Sequence, residues 1–210
     1  MAMKRQKHIS AVRGVRDIDF INVGGITRIM KSRIQLDHCD NMIKRYDQIE
    51  VSNSIESVRN LLDAEKSDWN ILNNTSCDVE NLIIKDKIHD VIRRCIHRDD
   101  EFNIQYADFW YAKYSDKSFI APHDHGDFLG RYSFCVYLDC EPEGTLLYYT
   151  TGSSTHVPIL FHRGDIAIFP SGLPHWSNDV YEGRKIVAGN FVVNVRLRPP
   201  SEEVSNNNSE

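Results

Sequence analysis

One short stretch of this sequence carries side chains that could bind a metal ion. It reads Pro122-His123-Asp124-His125-Gly126-Asp127. His175 follows much later in the chain, and Arg184 stands nine residues beyond it. Two imidazoles and one carboxylate on one face of an Fe(II) ion leave three coordination positions free, enough for a bidentate cosubstrate and O2. The planar fork of an arginine suits the remaining carboxylate of such a cosubstrate, so the pattern predicts oxidative chemistry.

The stretch offers more candidate ligands than an iron site needs. We predict that His125, Asp127 and His175 are the metal ligands and the catalytic residues, because side chains two positions apart on an extended segment point to the same side. The pair of His125 and Asp127 also leads directly into a strand pattern that begins at Tyr132. His123 would then lie beside the metal or toward the substrate. A site that uses His123 with His125, without Asp127, is the alternative.

The composition is that of one globular domain. The chain has 210 residues, 41% of them hydrophobic and 26% charged, so it can bury a substantial core. A net charge of -5 gives no electrostatic reason to expect nucleic-acid binding. The five cysteines include no CxxC pair, the N-terminus resembles no secretion signal, and no apolar run approaches the roughly 18 residues of a membrane span. We therefore expect a cytoplasmic monomer or homodimer with neither a nucleic-acid nor a membrane partner.

The first hundred residues are predicted to form a mixed region that becomes helical. Two short strands are predicted at residues 20–23 and 27–34. A first helix is predicted from Ser54 to about Glu65, where apolar residues repeat at steps of three and four. A second helix is predicted from about Val79 to Ile96, with apolar residues along one face and charged residues on the other.

From residue 102 the apolar pattern changes from a helical period to an alternating one. The clearest strand is Tyr132–Leu138, and others are predicted at residues 102–114, 145–150, 157–161, 166–169 and 184–197. Many short strands at a spacing of about ten residues predict an antiparallel sandwich or barrel. We therefore divide the chain into a support region (1–100), a β-rich catalytic core (101–198) and a polar, disordered tail (199–210).

Between about Phe109 and Val193 the sequence resembles the non-haem Fe(II) and 2-oxoglutarate-dependent dioxygenases, in particular their prolyl-hydroxylase-like branch. The resemblance rests on the order and spacing of His125-Gly126-Asp127, Tyr137-Leu138, Gly164-Asp165 with Phe169, Pro174-His175 and Arg184. It implies a mainly β fold with flanking α-helices, namely a double-stranded β-helix, which is a jelly-roll or cupin-like barrel, supported by the N-terminal helices. The cofactors that it implies are Fe(II), 2-oxoglutarate as cosubstrate and O2, with ascorbate as a candidate accessory reductant.

The resemblance also assigns roles to individual side chains. His125, Asp127 and His175 are its implied iron ligands. Arg184 would bind the far carboxylate of 2-oxoglutarate, and Lys185, at the next position, is the reserve candidate. Two tyrosines match the cosubstrate-side tyrosines of the family. Tyr137 lies on the predicted strand Tyr132–Leu138, and Tyr114 is a looser match.

The implied activity is hydroxylation of an unactivated C–H bond, while 2-oxoglutarate and O2 are converted to succinate and CO2. The substrate would be a protein or peptide residue, with proline among the candidates, or a small molecule. A metal-dependent cupin, either a dioxygenase or an isomerase that does not use 2-oxoglutarate, is the alternative, because most of the second cupin motif is matched by Gly164, Pro170, Gly172 and His175. The glutamate of the first cupin motif is missing. A ligand-binding barrel without catalysis is the remaining alternative.

Overall fold

The computed structural model describes residues 18–23, 27–50, 52–53, 64–67, 70–95, 101–114, 120–126, 131–150, 156–177 and 183–196. Within these ranges the chain forms twelve β-strands, two α-helices and two short 3-10 helices. In chain order they are β1 (Asp19–Val23), β2 (Thr27–Arg33), α1 (Leu36–Tyr46), β3 (Ser52–Asn53), β4 (Glu65–Lys66), the 3-10 helices Ile71–Asn73 and Thr75–Cys77, α2 (Asp78–Cys95), β5 (Glu101–Lys113), β6 (Ile120–His123), β7 (Arg131–Asp139), β8 (Thr145–Tyr149), β9 (Val157–Phe161), β10 (Asp165–Pro170), β11 (His175–Ser177) and β12 (Lys185–Arg196).

The strands form two antiparallel sheets. The large sheet has the strand order β1-β2-β10-β7-β12-β5-β4-β3, and the small sheet has the order β6-β11-β8-β9. The longest pairing joins β5 and β12, from Lys113 opposite Lys185 to Glu101 opposite Arg196. An apolar cluster with members from both sheets fills the space between them. The fold is the double-stranded β-helix that the family resemblance implies.

The large sheet buries both of its faces, and β7 shows how the sequence divides them. Phe134, Val136 and Leu138 belong to the cluster that packs against the helices. Tyr137 belongs to the cluster between the sheets, and Cys135 packs against it. Side chains alternate across a strand, so this one segment separates a structural face from a face that lines the interior of the barrel. The alternation predicted for Tyr132–Leu138 is confirmed.

The two helices cover the outer face of the large sheet. α2 buries Ile84 and Ile88 on one face, in agreement with the helix predicted there. No helix is predicted at α1, because its eleven residues include few large apolar ones. Its buried residues are nevertheless Cys39, Met42 and Tyr46, which lie on one helical face at steps of three and four.

The helix predicted from Ser54 to about Glu65 is wrong at its C-terminal end. Glu65 and Lys66 form β4, and Glu65 lies opposite Lys113 of β5. Pairing with a long neighbouring strand decides the local conformation here, against the helical spacing of the apolar residues. Residues 54–63 of that prediction, and the predicted tail at residues 199–210, lie outside the described part of the chain.

Strands from the first hundred residues extend the large sheet. β2 pairs with β10, with Arg33 opposite Asp165. The buried Asp165 carboxylate also forms two ion pairs, at 2.7 Å from the Lys31 ammonium and 3.2 Å from Arg33 Nε. The region before residue 101 therefore contributes strands as well as helices, and its separation from the catalytic core stays a prediction.

Gly189 lies at the centre of the large sheet, in β12, where it is opposite Phe134 on one side and Phe109 on the other. A Cβ placed on it would clash with the Asp108 carbonyl oxygen and come within 2.8 Å of the buried Phe134 ring. We expect Gly189→Ala to lower the free energy of unfolding by about 1–3 kcal/mol in chemical denaturation. Asn194→Ala, at an exposed position of the same strand, should change it by less than about 0.5 kcal/mol. Equal midpoints for the two variants would contradict this packing.

Among the helices in the described ranges, none combines the length and the apolar character that crossing a membrane requires.

Candidate metal and cosubstrate site

Three histidines come together where β6 meets β11. The two strands pair antiparallel with His123 directly opposite His175, and the two ring centroids are 4.4 Å apart. The backbone N–H of His125 donates to the carbonyl of Ser171 at 2.9 Å. This bond holds the segment after β6 against the turn between β10 and β11. The His125 ring lies 5.0 Å from that of His123 and 5.3 Å from that of His175. One ring nitrogen from each residue lies within 4.8 Å of the others, as three ligands of one metal ion require.

Backbone contacts orient two of these rings. Nδ1 of His123 lies 2.8 Å from the carbonyl oxygen of Ala121, and Nδ1 of His175 lies 2.9 Å from that of Leu173. A carbonyl oxygen only accepts, so each Nδ1 carries the proton and each Nε2 keeps its lone pair. This arrangement is the usual one behind a metal-binding histidine, because it fixes both the tautomer and the ring orientation.

Burial is the main cause of a lowered pKa at all three imidazoles. It lowers the pKa of His125 to about 4, with smaller contributions from His123 and Arg131. The pKa of His123 is also lowered, and that of His175 falls well below its ordinary value, where the other two histidines add to the effect of burial. The rings are therefore neutral at physiological pH, which is the state that binds a metal.

The histidines line a cavity of about 210 Å³ between the two sheets. Most of the remaining wall is apolar or aromatic, and it includes Trp110, Ile120, Leu147, Phe169 and Ile186. The polar groups in the wall are few, and Arg184 and Tyr137 are among them. A largely apolar cavity with a small number of convergent polar groups is typical of a small-molecule site.

Arg184 brings a buried positive charge to this cavity. Its side chain is 2% exposed. One terminal nitrogen donates to the carboxylate of Glu141, and the other donates to the hydroxyl of Ser177 at 3.2 Å. Nε has no hydrogen-bond partner among the described residues. A buried N–H without a partner is costly, so this nitrogen is available to an anionic ligand.

Two tyrosines stand beside Arg184 in the cavity wall. The hydroxyl of Tyr137 is buried without an oxygen or nitrogen partner among the described residues. Burial, with Cys135 and Tyr149 nearby, raises the pKa of Tyr137 well above its ordinary value, so the phenol keeps a proton to donate. The ring of Tyr114 lies 5.7 Å from the guanidinium carbon of Arg184. Both tyrosines line the same cavity as Arg184, and their role toward a cosubstrate stays a prediction.

The structure does not bring Lys185 to the cavity. Lys185 neighbours Arg184 in sequence, but its ammonium lies 2.7 Å from the carboxylate of Asp47 at the end of α1. Successive residues of a strand face opposite sides of a sheet, so only one of the two basic side chains can point into the barrel. Asp47 also accepts from the hydroxyl of Tyr111 at 2.7 Å and lies 3.3 Å from the Lys113 ammonium.

This surface cluster carries a pH-dependent prediction. Burial alone would raise the pKa of Asp47, but hydrogen bonds from Lys185 and Tyr111 outweigh it and hold the pKa below its ordinary value. A carboxyl whose pKa is lower in the folded state stabilises the fold above its unfolded pKa, about 3.9, and loses that contribution as pH falls through the folded pKa. Asp47→Asn should therefore cost about 1 kcal/mol of unfolding free energy at neutral pH and clearly less near pH 3. Denaturation curves at both pH values check this, and an equal loss at both would contradict the ion-pair explanation.

Among the predicted ligands, the structure places His125 and His175 in the cluster, and Asp127 lies outside the described residues. His123, which the sequence analysis assigns beside the metal or toward the substrate, lies directly opposite His175. The sequence analysis assigns no role to Glu141, which the structure places in the turn between β7 and β8. No local signal marks this glutamate, because its partner Arg184 is distant in the chain.

Solved structures that share this fold include several 2-oxoglutarate oxygenases. A prolyl-4-hydroxylase from Pseudomonas putida matches with a TM-score of 0.56 at 17% sequence identity, covering 81% of this chain and 93% of that one. A prolyl hydroxylase from Trichoplax adhaerens, in complex with a peptide of the hypoxia inducible factor oxygen degradation domain, gives 0.59 at 15% identity, covering 77% and 82%. HygX from Streptomyces hygroscopicus, with nickel and 2-oxoglutarate bound, gives 0.60 at 10% identity, covering 78% and 82%.

No protein-family model and no curated protein matches the sequence. At identities of 10–17% the similarity to the solved structures is a similarity of fold.

Proposed function

We propose that this protein is a non-haem Fe(II) and 2-oxoglutarate-dependent dioxygenase that hydroxylates an unactivated C–H bond. The observation that carries the proposal is the content of one cavity. Its wall includes three clustered histidines, a buried arginine whose Nε has no partner among the described residues, and Tyr137, whose hydroxyl has no oxygen or nitrogen partner among them. A metal-binding group and an anion-binding group in one small cavity match a cosubstrate that chelates a metal at one end and carries a carboxylate at the other.

In this proposal the metal is held by His123, His125 and His175. The two oriented rings, His123 and His175, present Nε2, and the direct pairing of their strands brings them together. Asp127 is the alternative metal ligand in place of His123 or His125. Imidazole ligands suit Fe(II), and also Zn(II) and Ni(II), so the ligand set restricts the metal without naming it. Bound iron would supply the activation of O2 that a C–H bond needs.

The far carboxylate of 2-oxoglutarate is assigned to Arg184 and Tyr137. The Nε–H of Arg184 and the hydroxyl of Tyr137 are both donors without an oxygen or nitrogen partner among the described residues, and a carboxylate accepts from both. Tyr114 supports this end through its contact with the guanidinium. The apolar wall of the cavity excludes water, which strengthens these hydrogen bonds.

The reaction inserts one oxygen atom of O2 into a C–H bond of the substrate, and the other enters succinate as CO2 leaves 2-oxoglutarate. The substrate is a residue of a protein or peptide, proline among the candidates, or a small molecule. The Trichoplax enzyme was solved with a peptide and HygX with hygromycin B, so similar folds accept both kinds of ligand. In the proposed arrangement residues 101–198 form the catalytic core and residues 1–100 support it.

A screen for succinate release tests this function and narrows the substrate. Protein loaded with Fe(II) would be supplied with 2-oxoglutarate, O2 and ascorbate, and then with prolyl peptides, other peptides, free amino acids and small molecules. The proposal predicts that a substrate raises succinate release above the rate without substrate, and that the increase disappears when iron is left out. Binding of iron without any consumption of 2-oxoglutarate would contradict it.

The three-histidine cluster also favours a second candidate, a metal-dependent cupin that does not use 2-oxoglutarate. Three imidazoles can hold a metal ion without a further protein ligand, so the described cluster also suits an enzyme of this kind. Against this candidate stands Arg184, whose buried charge and unpaired Nε would have no ligand in such an enzyme. Metal binding without 2-oxoglutarate binding would favour the cupin.

A further inference from the structure

Glu141 contacts the arginine that the proposed function assigns to 2-oxoglutarate. Its carboxylate accepts from one terminal nitrogen of Arg184, while Ser177 accepts from the other at 3.2 Å. Arg184 lines the cavity, but neither Glu141 nor Ser177 is among the residues of its wall. The guanidinium is therefore held at both terminal nitrogens by groups behind it.

Glu141 is itself held in place. It lies in the turn between β7 and β8, where its backbone carbonyl accepts from Gly144 N–H at 2.8 Å. Its second carboxylate oxygen accepts from the hydroxyl of Thr145, a residue that is 1% exposed. Burial alone would raise the pKa of Glu141, but the hydrogen bonds from Arg184 and Thr145 lower it below its ordinary value, so the carboxylate is ionised. The contact is an ion pair built on a fixed turn.

The geometry of this contact determines which donor is left for a ligand. With both terminal nitrogens engaged from behind, Nε is the guanidinium nitrogen that has no hydrogen-bond partner among the described residues. An arginine without these partners would rotate about its flexible side chain, and its planar fork would present different edges. The partner on each terminal nitrogen thus fixes the edge that meets the cavity.

We propose that Glu141, together with its anchor Thr145, is a positioning residue for 2-oxoglutarate: it holds Arg184 so that the Nε edge and the Tyr137 hydroxyl meet the far carboxylate together. This inference rests on the proposed function. It adds to that function a residue that does not touch the cosubstrate and acts through Arg184.

The alternative role for Glu141 is to neutralise the buried charge of Arg184. The two roles predict opposite changes in the affinity for 2-oxoglutarate when Glu141 is removed. Removal of the Glu141 carboxylate adds one net positive charge near the cosubstrate. If Glu141 only neutralised Arg184, its removal would strengthen binding of a dianion. If it positions Arg184, its removal weakens binding against this electrostatic trend.

The test measures binding of two 2-oxoacids by calorimetry, without O2, to protein loaded with Ni(II). 2-Oxoglutarate carries the far carboxylate and 2-oxobutanoate lacks it. Glu141→Ala is expected to weaken 2-oxoglutarate binding about tenfold and to leave 2-oxobutanoate and metal binding unchanged. Glu141→Gln keeps an acceptor for Arg184 and should stay within about threefold of the unmutated protein. Thr145→Val removes only the anchor and should weaken 2-oxoglutarate binding by about threefold.

Glu143→Ala is the matched control. Glu143 lies two residues further along the same turn and is exposed, so its removal changes the net charge equally without touching Arg184. It should leave both affinities unchanged. Melting temperatures of all variants show that each is folded at the temperature of the titration, and Thr145→Val tests the proposal independently if Glu141→Ala does not fold.

The outcomes separate the two proposals. If the unmutated protein binds 2-oxoglutarate and Glu141→Ala binds it equally well or more tightly, the positioning role is overturned and the dioxygenase proposal stands. An equal loss for both 2-oxoacids also overturns it, because the effect would then be general. If the unmutated protein binds metal but no 2-oxoglutarate, the proposed function fails, and the positioning role falls with it.

Discussion

His123→Ala is expected to lose metal binding, by at least about a hundredfold in affinity. His123 lies opposite His175 in the β6–β11 pair, and its Nδ1 is tied to a backbone carbonyl so that Nε2 is free to bind an ion. Without His123, two imidazoles of the cluster remain to hold the ion. Titration of Fe(II) or Ni(II) without O2, followed by calorimetry, measures the effect, and turnover should disappear with the metal.

Two further variants serve as comparisons for His123→Ala. Asp127→Ala should keep metal affinity within about threefold if three histidines suffice. His38→Ala removes a half-buried histidine of α1, away from the cluster, and should change nothing. Loss of the metal in Asp127→Ala, with retention in His123→Ala, would contradict the three-histidine assignment and restore the ligand set predicted from the sequence.

Arg184→Lys should weaken 2-oxoglutarate binding by about ten- to a hundredfold while metal binding stays unchanged. A lysine keeps the positive charge but loses Nε and the planar fork, so it cannot serve Glu141, Ser177 and a ligand carboxylate together. Hydrogen bonds to charged groups contribute about 1.5–3 kcal/mol each, and tenfold corresponds to about 1.4 kcal/mol. Calorimetry on the Ni(II)-loaded variant measures both affinities.

Lys185→Gln is the matched control for this substitution. It removes the neighbouring positive charge, which pairs with Asp47 outside the cavity. The affinity for 2-oxoglutarate should stay within about twofold of the unmutated protein. A large loss in Lys185→Gln, with little loss in Arg184→Lys, would reassign the carboxylate to the reserve candidate of the sequence analysis.

The β-core follows from the sequence because it depends on alternation. β7 separates Phe134 and Val136 from Cys135 and Tyr137, and such a period of two is visible without any tertiary information. Helix α1 and strand β4 do not follow, for opposite reasons. The buried face of α1 has only a few apolar residues, and the extended conformation of β4 accompanies its pairing with β3 and β5.

The site was predicted in part. The spacing of His125, His175 and Arg184 and the family resemblance of Tyr137 single out four residues, and all four line one cavity. The position of His123 opposite His175 was not predicted, because it depends on β6, a four-residue strand that contains Pro122. A proline within a short apolar run argues against a strand, yet it is tolerated in an edge strand, and β6 is one of the two edge strands of the small sheet.

The contact between Glu141 and Arg184 could not be read from the sequence either. It joins a turn after β7 to the start of β12, and only the pairing of those two strands brings the residues together. Pro142, directly after Glu141, indicates a turn at this place, but it does not indicate that Glu141 has a partner so far along the chain.

Calorimetry of 2-oxoglutarate binding without O2, on metal-free and Ni(II)-loaded protein, tests the central claim most directly. The claim is that one cavity binds the metal at its histidines and the cosubstrate carboxylate at Arg184. It predicts that one equivalent of 2-oxoglutarate binds to the Ni(II)-loaded protein, and that binding is lost without metal and in His123→Ala. Stoichiometric binding of Ni(II) with no binding of 2-oxoglutarate would contradict it.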